Sequence, residues 1–104
     1  MQKLPFNKDY FHLNRMASGH FSLEITDKMS WESFPEYALK FLSVVDGIVE
    51  KKNSSADMHI WDVTINGFSY RLVFDDYPCA MSLESSEDAS DKNLFNIKEI
   101  LLVN

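Results

Sequence analysis

The dipeptide Asn66-Gly67 sits at the centre of "MHIWDVTINGFSYRLVFDD", between two runs in which apolar and polar residues alternate. A two-residue hairpin loop of type I′ needs positive φ at both central positions, and Asn-Gly supplies it at little steric cost. Fixing the turn fixes the register. Ile65 then faces Phe68, Val63 faces Tyr70, Trp61 faces Leu72 and His59 faces Phe74, which makes one side of the hairpin a core face. The other side pairs Thr64 with Ser69, Asp62 with Arg71 and Ile60 with Val73. A slip of one residue would expose every aromatic side chain, so pattern and turn reinforce each other.

An apolar sheet face has to be covered, and two segments have the spacing to do it. In "SWESFPEYALKFLSVVDG", Ser33 and Glu36 have the spacing of a capping box, with Ser30 as a rival cap one turn earlier. Pro35 falls in the first turn, and Gly47 stands at the C′ stop. The apolar stripe runs Phe34, Tyr37, Ala38, Phe41, Leu42, Val45. A second helix is expected from Ser90 or Asp91, carrying Leu94, Ile97, Ile100 and Leu101. After a turn at Asp75-Asp76-Tyr77-Pro78, "CAMSLES" alternates as a third strand; "GIVEKKN" reads as a fourth and "HFSLEIT" as a fifth. Residues 1–19 fit either a short helix or an irregular edge segment. The expectation is a single domain over residues 1–104: a two-layer α+β fold, with an antiparallel sheet of four to five strands and two main helices packed on one face.

Charge narrows the function. The formal net charge is −6, and all of the excess lies in residues 53–104, which carry nine acids against three bases. Direct binding of nucleic acid needs Lys and Arg to displace counterions from phosphates, so this balance disfavours it. A cationic protein partner suits it, and so does plain solubility. The N-terminal residues lack the apolar run of a signal peptide, and no stretch of about 18 apolar residues provides a membrane span; a cytoplasmic protein is expected.

Catalytic parts are few. His12, His20 and His59 are scattered, with His59 expected as a hydrogen-bonded core residue and Cys79 as a buried, inert thiol. No nucleophile elbow or glycine-rich phosphate loop occurs, and a small hydrolase would require a pocket that brings His20 or His59 near carboxylates. The run "SSEDASDKN" has oxygen donors without the alternating acids, central glycine and closing glutamate of a calcium loop, so no metal or other cofactor is expected. Helix capping accounts for Asp88 and Asp91 in part. The remaining carboxylates, Asp75, Asp76, Glu84 and Glu87, are expected to converge with these two on one negative edge.

The pieces "WESFPEYA", "HIWDV" and "FDDYPCAMSLES" are the sharpest parts of a broader likeness, from about residue 25 to residue 86. Over that span the chain resembles small bacterial proteins once described only as a domain of unknown function. They include immunity proteins paired with the toxic C-terminal regions of contact-dependent growth inhibition systems. The resemblance implies an antidote without chemistry or cofactor of its own, binding a cognate toxin domain one to one; such toxins are often nucleases with basic clefts. The contact residues Asp75, Asp76, Glu84, Glu87, Asp88 and Asp91 are assigned from charge and expected position, since the resemblance supplies no binding residues. The alternative is a regulatory or adaptor subunit, or a homodimer joined through an exposed strand edge.

Overall fold

The computed structural model describes residues 10–76 and 79–103. They form six strands and two helices in the order β1 (His12–Arg15), β2 (Phe21–Thr26), α1 (Phe34–Val44), β3 (Ile48–Ser54), β4 (Met58–Ile65), β5 (Phe68–Asp75), β6 (Ala80–Ser85) and α2 (Asp88–Leu102). All pairings are antiparallel, and the sheet runs β1-β2-β6-β5-β4-β3. The α+β class with two helices agrees with the sequence. The strand number does not: the sixth strand is β1, which pairs Leu13 with Leu23 and Asn14 with Ser22. Only four residues long, β1 gains its identity from a neighbour rather than from its own pattern. The turn expected at Tyr77-Pro78 and the alternatives for residues 1–9 lie outside the described residues.

The β4–β5 hairpin has the register its turn dictates. Ile65 pairs with Phe68, Val63 with Tyr70, Trp61 with Leu72 and His59 with Phe74, and Asn66 and Gly67 take φ values of 55° and 82°. Trp61, Val63, Ile65, Tyr70, Leu72 and Phe74 are buried, together with Leu23, Ile25, Met81 and Leu83 from the flanking strands. The helices contribute Phe34, Ala38, Phe41 and Leu42 from α1 and Leu94, Ile97 and Leu101 from α2. On the opposite face Asp62 and Arg71 are solvated, as the sequence suggests, but Ser22 and Val73 are buried there. Ser22 lies in register between the longer Asn14 and Glu84.

The helix ends differ from expectation in instructive ways. Ser33 makes no side-chain cap to α1. Instead Ser30 Oγ accepts the Ser33 N–H (3.1 Å) while Ser33 Oγ accepts the Ser30 N–H (3.0 Å), a reciprocal capping box one turn earlier with serine in the place of Glu36. Pro35 has no N–H to continue the ladder, which is why regular α1 starts only at Phe34. At the other end Asp46, not Gly47, takes the left-handed C′ position with φ 55°. The Gly47 N–H reaches back to Leu42 O at 2.7 Å, the 6→1 bond of a Schellman motif.

Gly47 is needed for space. A Cβ there would stand 2.6 Å from Leu42 Cδ2 and 3.2 Å from Ile65 Cγ1. Gly47→Ala is therefore expected to destabilise the fold by about 1–2 kcal/mol, as overpacking does; a urea melt with an unchanged midpoint would contradict this.

The second helix begins at Asp88, with Glu87 extended at its N-cap, so it starts earlier than Ser90 or Asp91. A buried polar network fixes α2 to the hairpin. Tyr70 donates its hydroxyl to Ser90 O (2.8 Å), and Asn93 Nδ2 donates to the Tyr70 hydroxyl (2.9 Å) and towards Ile65 O (3.4 Å). Asn93 Oδ1 accepts from Asn66 Nδ2 (3.2 Å), so the turn residue that shapes the hairpin also docks the helix.

Candidate functional site

Residues 16–20 make the tight connection from β1 to β2. Gly19 takes φ 92° there, and the Met16 N–H bonds to His20 O at 2.8 Å. This turn brings Ser18 and His20 over the end of β6, where the chain leaves Glu84 and Ser85 and enters α2. The result is an open cleft of about 560 Å³, walled by Ser18, His20, Arg71, Glu84, Ser85 and Ser86. A shallower trough of about 300 Å³ adjoins it across Arg71 and Ser86 and adds Glu50 and Asp62.

Among the described residues, Arg71 is the one arginine or lysine lining these walls. Cross-strand register sets Glu84 on one side of it and Asp62 on the other, and its Nε lies 4.0 Å from Asp62 Oδ1. Both members of that pair are solvated, so it adds little to stability. Burial pushes the Glu84 carboxyl above the usual carboxylate range; Arg71 pulls it down and Glu24 raises it further.

Across the cleft, His20 Nδ1 lies 2.8 Å from Asp91 Oδ2 and 3.9 Å from Asp88 Oδ1. An ionised carboxylate only accepts, so Nδ1 carries the proton and donates it to Asp91. The second Asp91 oxygen, Oδ1, accepts the Phe21 N–H at 2.9 Å. Burial alone would raise the Asp91 carboxyl. Hydrogen bonds from His20, Phe21 and Ser85, with the charge of His20, outweigh it and hold the group below its ordinary value. Asp91 is thus a structural clasp between α2 and the start of β2.

The six carboxylates expected on one edge do not share one. Glu84, Glu87 and Asp88 gather at the β6–α2 end, with the Asp88 side chain 97% exposed, while Asp91 is buried behind them. Asp75 pairs with Ala80 and Met58 at the opposite end of the sheet. There the Asp76 N–H bonds to Asp57 O at 2.8 Å, which adds a third acid to that end. The five-residue step from Ala80 to Ser85 spans about 17 Å at the usual strand rise. Strand direction is the reason: β6 begins beside Asp75 and finishes beside Tyr70.

The sequence singles out His20 only as a histidine that a pocket would have to bring near carboxylates, as this cleft does, and spacing does not join it to Arg71. Asp88 lies 68 positions after His20, and no local signal joins them. The expected role of His59 also changes. Its ring is stacked on Trp31 at 3.8 Å and on Phe34 at 5.0 Å, half-buried, and its Nε2 has no hydrogen-bond partner among the described residues. Cys79 is half-exposed rather than buried, with φ 68° and its thiol 3.3 Å from Asp76 O.

Residues 11–99 match the model of a family described as protein of unknown function, DUF3630. The chain belongs to that family. No curated protein and no solved structure matches it. In this DUF3630 member no helix among the described residues is long and apolar enough to cross a membrane. The cleft joins groups able to bind charge of either sign, and the His20 ring is oriented by a carboxylate as in acid–base catalysis. Among the described residues, the hydrogen-bond partners of the His20 ring do not include Ser18, Ser85 or Ser86.

Proposed function

We propose that the chain is a cytoplasmic binding protein that neutralises a cationic protein partner, in the manner of a bacterial immunity protein and a toxin domain. The observation that carries this reading is the group Glu84, Glu87 and Asp88 at the β6–α2 end of the sheet, of which Glu84 lines the open cleft. The excess negative charge of the second half of the chain supports it, because such a field steers a basic partner and rejects acidic ones. The expected partner is a nuclease-type toxin domain, bound one to one, whose basic substrate cleft is occupied without any reaction at this chain. Asp75, Asp76 and Asp57 form a second acidic group about 17 Å away. A standard interface takes about 800 Å² from each side, an area roughly 30 Å across, so one partner can span both groups.

The alternative of edge-to-edge pairing finds less support. The outer edge strand β3 carries Lys51 and Lys52 and a bulge between Val49 and Lys51, features that protect an edge from a second strand.

The test is to co-express the chain with the product of its neighbouring gene and follow the association of the purified pair. Glu84→Lys, Glu87→Lys and Asp88→Lys together should slow association at least about tenfold at low salt and abolish most of its salt dependence. Asp75→Lys with Asp76→Lys should act less strongly. Unchanged, salt-insensitive association in the triple variant would remove the electrostatic reading.

A further inference from the structure

His20, Asp88 and Asp91 lie on two separate elements, yet each turns one donor atom towards the other two, and all three atoms fall within 4.8 Å of one another. We propose that these residues form a site for a first-row divalent metal ion, zinc foremost. This inference goes beyond the binding reading and stands without it.

The chemistry of the donor set selects the ion. One imidazole nitrogen with two carboxylate oxygens suits zinc and its neighbours, whereas calcium and magnesium prefer oxygen alone. Zinc bonds of about 2.0–2.2 Å in a tetrahedral arrangement hold their donors about 3.3 Å apart. The separations from His20 Nδ1, 2.8 Å to Asp91 and 3.9 Å to Asp88, bracket that value. The third separation, Asp88 to Asp91, falls within 4.8 Å, and a rotation of the exposed Asp88 side chain closes the set. The metal takes the place of the Nδ1 proton, which leaves for solvent as the bond from nitrogen to metal forms.

Two further features distinguish the trio from a chance grouping of acids at a helix start. Asp91 is fixed from behind: its Oδ1 accepts the Phe21 N–H, so Oδ2 is held towards the imidazole. Outer partners of this kind are what orient the ligands of a metal. Asp88 is the surplus charge. Nδ1 has a single proton, already given to Asp91, and Asp88 stays 3.9 Å from it with no closer donor among the described residues. The positive end of α2 opposes a cation, but the two carboxylates stand between that end and the ion. His20 also walls the open cleft, so the remaining coordination position is reachable by water or by a ligand group.

Calorimetric titration of the chelator-stripped full chain with zinc chloride tests this, with magnesium chloride as the comparison. One zinc per chain with a micromolar or tighter Kd is expected, and no comparable binding of magnesium. Asp88→Ala touches an exposed side chain, so it should cost the metal-free fold no more than the small worth of one carboxylate at a helix start, while weakening zinc at least tenfold. His20→Gln should abolish binding. Absence of saturable one-to-one binding, or an Asp88→Ala variant that binds zinc as tightly as the parent, would overturn the site.

Discussion

Phe34→Ala will lower the stability of the fold by about 3–5 kcal/mol, the range found when a buried phenylalanine is truncated. The ring is fully buried at the start of α1. It stacks on His59 at 5.0 Å, meets Trp61 edge-on at 5.2 Å and lies 5.7 Å from Phe74, so three side chains of the hairpin lose their cover together. For a domain of this size such a loss corresponds to a fall of roughly 15 °C or more in melting temperature. Phe95, 49% exposed on α2, serves as the control; its truncation should cost less than about 1 kcal/mol. Circular dichroism melts of the two variants decide the matter, and equal losses would mean that the helix is not seated on the hairpin as described.

Asp91→Ala has the next largest expected effect, about 2–3 kcal/mol at neutral pH, because it leaves the part-buried Phe21 N–H without an acceptor and removes a charge-assisted bond to His20. The effect has a pH signature. A carboxyl held below its ordinary value contributes stability that is complete above the unfolded value, near 3.8, and disappears as pH falls through the folded one. The gap between parent and variant should therefore be constant from pH 7 down to about 5 and shrink below about pH 4. Urea unfolding at pH 6 and pH 3 measures it, and a gap that widens in acid would show that Asp91 is not the clasp.

Much of this architecture was readable before any coordinates, and the reason is local. The β4–β5 hairpin combines a two-residue turn with strict alternation, two constraints that act within the same 18 residues. The body of α1 was legible for the same kind of reason, its stripe lying on one face. Its cap lay open between Ser33 and Ser30, which are chemically alike: Ser33 does hold the N-cap position, but the side-chain bonds form between the two serines. Bulges in β2 and β3 and the strand β1 exist through pairing with a neighbour, and short polar segments do not announce their neighbours. The candidate site divides along the same line. Carboxylates were visible as a composition, and the separation of Asp75 from Glu87 follows from strand direction alone. The meeting of His20 with Asp91, by contrast, depends on β2 lying beside β6.

That junction also orders events in time. The β4–β5 hairpin closes over two residues and β6 follows shortly after β5, whereas the pairs Ser22 with Glu84 and Glu24 with Ser82 must bring together opposite ends of the chain. Closing a loop costs entropy that grows with its length, so the local meander assembles first and the N-terminal strands join it afterwards. Arg71 and Glu84 come from the early portion and His20 from the late one. A molecule caught before the two halves zip together has most of its sheet but not the cleft, which is complete only once β2 has joined β6.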